Sequence, residues 1–556
     1  MSLLLPALFI LSLAGFLSIR LWAAQSTAGK RKRLRETWGQ ADSSRRRDLE
    51  SILALHRALR DHGAPGESTL AESAATDLDL DQLFAFLDRT LTEAGQQALA
   101  HLLRTPVSAL PRLGARAEAI SLLGRSSALR EELQLALLPL AAAVPGTLVP
   151  LIASRGLAPL PLPGLVYRLC ALAAVAAVPA PFFLGGAGWL LVAAMFIING
   201  INHYSAEREV TAALPGIVAL QELFGAAGRI VRASLPGLES EQTGLRELLA
   251  ELGPLGGAIR GLNLPDTGDA LSDLSIYLDI FVLRRVRLYS QAAPEVSAAR
   301  EALLRMTLAV GTLDALQAMA SVRAQRADHC VPVLDFSAPA LRAEEVRHPL
   351  LEGAVANSLE LSGGVLITGS NMSGKSTWLR AVGLNALLAQ TVCTCFAKSW
   401  SGPPVLLTTS LRQSDSLLAG RSYYLAEAEG IRAALRTLGA SPRPLCVLDE
   451  IFRGTNSIER VAASTAVLRH LAAQGALVLA ATHDHSLTAL LDGLYQNFHF
   501  SERIGASGLD FDYALKPGPA STRNALALLR FLGYPESVVV AAEKLRDDGD
   551  SREAGS

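Results

Sequence analysis

The 556-residue chain has few aromatic side chains, 5% of the total, and almost no net charge: 51 Lys and Arg stand against 52 Asp and Glu, leaving −1. With no overall positive field, composition alone does not mark a nucleic-acid binder. Five cysteines (Cys170, Cys330, Cys393, Cys395 and Cys446) are scattered and odd in number, with no CxxC pair and no His/Cys ligand spacing. That argues against both a disulfide framework and a zinc site. Cys393 and Cys395 read as small buried residues rather than as a thiol pair. Charged residues reach only 19%, while half the chain is apolar, which is apolar-heavy for a soluble protein of this size. Leu and Ala dominate, and with aromatics scarce they favour long helices over sheet. The length allows several domains and a large core.

The apolar surplus is concentrated in two places. Residues 2–19 carry no charge, and after Arg20 the apolar character resumes through Ala24, about the length needed to cross a bilayer. A positive n-region and a small-residue cleavage site before Gln25 are both missing, so the segment reads as a retained anchor rather than a signal peptide. Behind it come "GKRKRLR" (residues 29–35) and "RRR" (residues 45–47). Positive charge stays cytoplasmic, so the N-terminus is expected outside and the remainder inside. Next to a span, this basic run reads as a topology and headgroup signal rather than as a nucleic-acid arm. The second place is "LCALAAVAAVPAPFFLGGAGWLLVAAMFIINGIN", residues 169–202, without a charge. One helix of that length would reach roughly 50 Å, against a hydrocarbon core of about 30 Å. Two short spans turning at "PAPFFLGGAG" are expected, because Pro and Gly punctuate the middle. The alternative is a buried helical hairpin in a soluble core. Residues 133–154, interrupted by Pro139, Pro145 and Pro150, read as irregular core or interface.

From about Val346 the pattern changes to alternating short strands and helices. "GVLITGSNMSGKST" reads as a strand, a glycine loop and a helix starting near Lys375, the context that GxxxxGK[ST] requires. Gly369 and Gly374 permit the tight loop. The backbone N–H groups of Gly369, Ser370, Asn371, Met372, Ser373, Gly374, Lys375, Ser376 and Thr377, with the helix N-terminus, would cradle phosphate. Lys375 is expected to reach the β- and γ-phosphates of ATP, and Ser376 to ligate Mg²⁺. In "PLCVLDEIFRGTN" a buried parallel strand ends in two carboxylates. Asp449 would bind the metal, and Glu450 would position or deprotonate the attacking water. A further strand, "ALVLAAT", ends in "HDHS" and places His483 where a γ-phosphate sensor would sit.

The interval between glycine loop and Asp-Glu strand lacks the transporter signature LSGGQ; "SDSLLAGRSYYLAEAEGI" stands there instead. With it the chain resembles the MutS family of mismatch-repair ATPases. "DEIFRGTN" is similar to that family's DE-x-x-RGT element, "ATHDHSLTAL" to ATH-x-H-x-L, and "GRSYYLAEAE" to GRS-x-x-x-x-E. The resemblance implies that Ser422 reaches across a homodimer to the partner's γ-phosphate, and that Asn357 lies at the nucleotide. It extends loosely to residues 83–106 and 312–322, which resemble helices of the MutS core, to "RHPLL" at the entrance of the ATPase domain, and to residues 515–535, which resemble a C-terminal helix-turn-helix. The mismatch-reading and connector domains have no counterpart here, and no Phe-x-Glu wedge or clamp insertion is recognisable.

The expected architecture is an α/β P-loop NTPase of the ABC/MutS type, preceded by a mainly α-helical MutS-core-like domain with transmembrane helices. Its divisions are an anchor at 1–24, a basic segment at 25–75, a helical domain at 76–335 with a membrane hairpin at about 165–204, an ATPase domain at 336–545, and a disordered tail at 546–556. The expected function is a membrane-anchored, Mg-dependent ATPase whose cycle moves a homodimer, with its ATPase domain on the cytoplasmic side of the inner membrane and DNA as ligand. The alternative is a membrane-bound switch or scaffold acting on protein or lipid. A transporter is disfavoured, because the spans carry no ionisable residue to line a path.

Overall fold

The computed structural model describes residues 27–41, 45, 47–61, 69–153, 157–260, 262, 277–370, 373–411, 423–453, 455–505, 508–520, 530–531 and 533–553. The expected N-terminal anchor, Asn371, Met372 and Ser422 lie outside them. The chain divides into two compact units. One holds Leu87–Leu102 and Glu118–Gln325 with the segment up to Gly66; the other holds Glu67–Phe86, Leu103–Ala117 and Arg326–Ser556.

The first unit is helical, as a Leu/Ala-rich, aromatic-poor sequence favours. It contains α1 (Gly164–Ala177), α2 (Gly186–Arg232) and α3 (Arg300–Gln325). α3 is buried along most of its length. Midway along it the fully buried Asp314 accepts hydrogen bonds from Leu91 N (2.9 Å), Thr92 N (2.8 Å) and Thr92 Oγ1 (2.7 Å). It thereby satisfies amides at the start of the helix Glu93–Arg104 that have no intrahelical partner. Gly311, one turn before Asp314, makes this approach possible: a Cβ there would lie 2.2 Å from Ala94 O.

α1 and α2 form the hairpin expected from the apolar run, but its arms are unequal. α1 turns through a short helix, Ala180–Leu184, into α2. The turn depends on Gly188, whose Cβ would stand 2.4 Å from the Ala180 carbonyl carbon. α1 turns Ala171, Ala174 and Ala177 inward, small residues that permit close helix packing. Leu165, Leu172, Trp189, Leu190 and Ile201 are exposed, and at the tip Phe182 and Phe183 are 90% and 83% exposed. From Ala206 onward α2 is buried on one face through Val210, Ile217, Leu220, Leu223 and Ile230. The second arm is therefore no separate short span but the first part of a 47-residue helix, about 70 Å long. Among the described residues this is the one helix long and apolar enough to cross a membrane; Gly164–Ala177 is shorter.

The second unit is built on two sheets. Strands β1 (Val333–Leu334), β2 (Leu341–Val346), β3 (Asn357–Leu361) and β5 (Ser399–Gly402) form one, in the order β1-β5-β2-β3. The other runs β10-β9-β4-β8-β7-β6 and comprises β4 (Gly364–Thr368), β6 (Val405–Ser410), β7 (Arg443–Asp449), β8 (Leu477–Thr482), β9 (Tyr495–Gly505) and β10 (Gly508–Pro517). Its strands are parallel except for β10, which runs antiparallel to β9. β4 and β8 are buried at every residue, which explains their unbroken apolar sequences. Register aligns the strand ends: Thr368 pairs with Thr482, and Asp449 with Ala481. The segments that leave β4, β7 and β8 therefore emerge side by side at the carboxyl edge, where ligands bind in open α/β sheets. Two helices of this unit are α4 (Lys375–Thr391) and α5 (Ser457–Ala473).

The boundary expected at 335/336 is not the one the fold draws. Short N-terminal segments belong to the second unit and are pinned there by hydrogen bonds. Val107 N donates to Gln390 O (2.9 Å) and Arg116 Nη1 to Thr391 O (2.7 Å), both at the end of α4. The carboxylate of Asp77 accepts from Thr409 Oγ1 (2.7 Å) and Leu411 N (3.0 Å). At the other end of the chain, residues 515–517 of the expected helix-turn-helix finish β10, and α6 (Glu536–Glu553) continues into the stretch read as a disordered tail. Its charged residues suit a solvated helix as well as a tail, since Glu, Lys and Arg are good helix formers.

Candidate functional site

At the end of β4 the chain turns through two residues that only glycine fits. Gly369 has φ +141°, and a Cβ there would meet Phe500 O at 2.8 Å; Gly374 has φ +99° and faces Tyr513 at 3.0 Å. α4 then starts at Lys375, so the unpaired amides of its first turn face the loop. Lys375 is buried, and its Nζ donates to Gly369 O (2.6 Å) and Ser370 O (2.7 Å). Burial pushes its pKa down, and Asp449 and Glu450 act in the opposite direction.

Ser376 Oγ donates to Asp449 Oδ2, while Asp449 Oδ1 is buried with no hydrogen-bond donor. Burial holds the Asp449 carboxyl above its usual range, so this anion is short of positive charge. Two hard oxygen ligands side by side, one with an unused lone pair, fit Mg²⁺, which takes few protein ligands and completes its shell with water and phosphate. Among the described residues no cluster of three or more His, Cys, Asp or Glu suits a self-sufficient metal centre.

Glu450 follows with φ +49°, an uncommon conformation for a non-glycine residue and one that concentrates at functional sites. Its amide donates to Ala481 O (3.0 Å), fixing the turn against β8. Its Oε1 lies 3.4 Å from His483 Nδ1, and its Oε2 lies 3.1 Å from Arg453 Nη1. The hydrogen bond from His483 holds the Glu450 carboxyl below its usual range. His483 is partly exposed at the end of β8. Behind it the Asp484 carboxylate accepts from Nε and Nη2 of Arg460, at 2.8 and 2.9 Å.

A cavity of about 330 Å³ opens beside Gly374, with His348, Val355, Thr377, Trp378 and Tyr513 in its walls. Asn357 also lines it, but its amide spans β10, donating to Tyr513 O (2.9 Å) and accepting from Leu515 N (2.7 Å). Burial lowers His348 to about 4, so the imidazole is neutral. Trp378 has a buried indole N–H with no acceptor. The structure thus gathers Gly369, Ser370, Ser373, Gly374, Lys375, Ser376, Thr377, Asp449, Glu450 and His483 at one sheet edge, with Asn357 at the adjoining cavity. His348, Arg453, Trp378, Glu502 and Tyr513 were not singled out from sequence. Arg453 lay inside the quoted "DEIFRGTN" and His348 inside "RHPLL".

Residues 365–548 match the family described as MutS domain V. The chain is 36% identical over 263 residues to the DNA mismatch repair protein MutS of Natronomonas pharaonis, a match covering 45% of this chain and 30% of that protein. Over this C-terminal stretch the chain is similar to MutS domain V. Against the DNA mismatch repair protein MutS 2 of Halobacterium salinarum it is 34% identical over 271 residues, 47% of this chain and 31% of that one. Against MutS of Thermus aquaticus it is 38% identical over 216 residues, 38% and 26% respectively. The matches thus span less than a third of these MutS proteins, and they fall in the half of the chain that carries the phosphate loop.

Proposed function

We propose that the chain is an ATP-hydrolysing switch that works as a homodimer at the inner face of a membrane and takes DNA as its ligand. The observation that carries the enzymatic part is the convergence of Lys375, Ser376, Asp449 and Glu450 at one sheet edge, with Asp449 Oδ1 buried and lacking a donor. Bound Mg²⁺ would neutralise phosphate charge, and Ser376 and Asp449 are the residues that would hold it. Lys375, exchanging loop carbonyls for phosphate oxygens, binds the β- and γ-phosphates. Glu450, ionised and held by His483 and Arg453, orients a water molecule and takes its proton. His483, partly exposed beside Glu450, responds to the γ-phosphate. The cavity beside Gly374 receives the base, with the Trp378 indole N–H as an available donor. Ser422 completes the partner's site in the dimer.

In the test, ATP quenches or shifts tryptophan emission of the wild-type chain, and Lys375→Ala weakens ATP binding about 10- to 100-fold through the loss of a charge-assisted phosphate contact. Isothermal titration gives the affinities. Equal ATP affinity in both chains would remove Lys375 from the phosphate site.

DNA as ligand is supported by the relatives, which are named as DNA mismatch repair proteins. The exposed apolar hairpin favours a second reading, a switch that acts on protein or lipid at the bilayer without DNA. Fluorescence anisotropy with duplex and branched DNA separates the two. If DNA is the ligand, the affinity falls steeply between about 50 and 200 mM salt; no binding at the lower salt leaves the second reading.

A further inference from the structure

The phosphate loop has a neighbour that the hydrolytic roles leave unused. β9 lies parallel to β4 with Thr368 opposite His499, so the chain leaving β4 and the end of β9 emerge together from the sheet. Three residues beyond His499 stands Glu502, and its carboxylate accepts a hydrogen bond from Ser370 Oγ. The rest of Ser370 is also engaged: its carbonyl takes Lys375 Nζ at 2.7 Å and Ser373 Oγ at 2.7 Å. The described residues of the loop are therefore engaged with one another, and a carboxylate of β9 holds Ser370. Glu502 also adds a third anion, after Asp449 and Glu450, to those that act on Lys375.

Phosphate binding at Lys375 requires these contacts to rearrange. Lys375 must leave the carbonyls of Gly369 and Ser370, and the Ser370 hydroxyl must share or abandon Glu502. The incoming phosphates also meet the negative charge of Glu502 in a partly buried setting, where repulsion is far less screened than in water.

We propose that Glu502 is a positioning residue that holds Ser370 at the start of the phosphate loop and opposes phosphate binding beside it, so that it sets how tightly a nucleotide di- or triphosphate is held. The proposal rests on the nucleotide reading above and adds a residue on β9 to it. Its opposition has two separable parts, the hydrogen bond to Ser370 and the charge. Glu502→Gln keeps a carbonyl acceptor for Ser370 and removes the charge. Ser370→Ala removes the hydroxyl and keeps the charge.

Titration of the full chain with ADP and with a non-hydrolysable ATP analogue tests it, with adenosine as a ligand that lacks phosphate. Glu502→Gln is expected to bind ADP about tenfold tighter, the scale of one like charge removed from a half-buried site. Ser370→Ala is expected to tighten binding about threefold. Adenosine affinity and melting temperature should be the same in all three chains, which a merely structural role for Glu502 would not produce. ADP binding by Glu502→Gln that is equal to or weaker than wild type overturns the proposal, as does an equal gain for adenosine. If the wild-type chain binds neither ADP nor the analogue, the nucleotide reading itself fails and takes this proposal with it.

Discussion

Glu450→Gln is expected to lower the ATP turnover number by about 10²- to 10³-fold and to leave nucleotide affinity within a few-fold of wild type. The reason is positional. The residue sits one step beyond the buried strand β7, in a left-handed conformation fixed by its own amide on Ala481 O. The amide of glutamine can occupy the same place but cannot take a proton from water. Asp449, one residue earlier, differs in kind: its Oδ2 is engaged by Ser376, and its buried Oδ1 is available to a cation. Loss of Asp449 should therefore act on binding, and loss of Glu450 on the chemical step. Single-turnover and steady-state kinetics separate the two. Unchanged turnover in Glu450→Gln would remove this residue from the reaction. Because the hydrogen bond from His483 holds Glu450 below the usual carboxylate range, its carboxylate form persists as pH falls toward that range. The acid limb of the turnover profile that belongs to Glu450 accordingly lies below the range of a free glutamate.

What the sequence disclosed about this site is what lies close together along the chain. The glycine loop, the Asp449–Glu450 pair and His483 each follow directly on an apolar strand, so strand, turn and side chain could be read as one local unit. Sheet register does the rest by bringing those strand ends to one edge. Glu502 and Tyr513 were not legible for the opposite reason. They reach the loop only because β9 pairs with β4, more than 100 residues earlier in the chain, and β10 folds back on β9; no local pattern encodes the first of these pairings. The grouping of short N-terminal segments with the second unit was not legible for the same reason. Asp77 and Arg116 lie in helices and Val107 in the link between two helices, and it is their bonds to Thr409, Thr391 and Gln390 that tie them to the second unit. In α2 the apolar run was plain. Its continuation was not, because the charged Glu207 and Arg208 follow the apolar run, whereas the helix passes through both, and through Pro215, and buries its next face in the first unit.

That continuity gives the hairpin its largest testable consequence. Phe182 and Phe183 stand at the tip, almost wholly exposed, on a turn with no charged residue from Leu169 to Asn202. Exposed side chains of this size in a contiguous patch are unfavourable in water and mark a surface that something apolar covers. A lipid bilayer is the occupant we propose. The charge-free part of α2 from Gly186 to Tyr204 is roughly 27 Å long, close to the thickness of a hydrocarbon core, with Trp189 near one end and Tyr204 near the other. Trp and Tyr at such positions suit the two interfaces. Replacing both phenylalanines by aspartate forfeits about 3–6 kcal/mol of apolar transfer before any cost of the new charges. Partitioning into lipid vesicles, measured by flotation with residues 1–24 removed so that the hairpin acts alone, should fall by at least about 10²-fold. Because the tip lies far along α2 from the helical core, the double substitution should leave the helical circular dichroism signal and its melting temperature unchanged. Retained vesicle binding would assign the exposed face to a partner other than lipid. Lost binding with an intact fold would assign the exposed face of the hairpin to lipid.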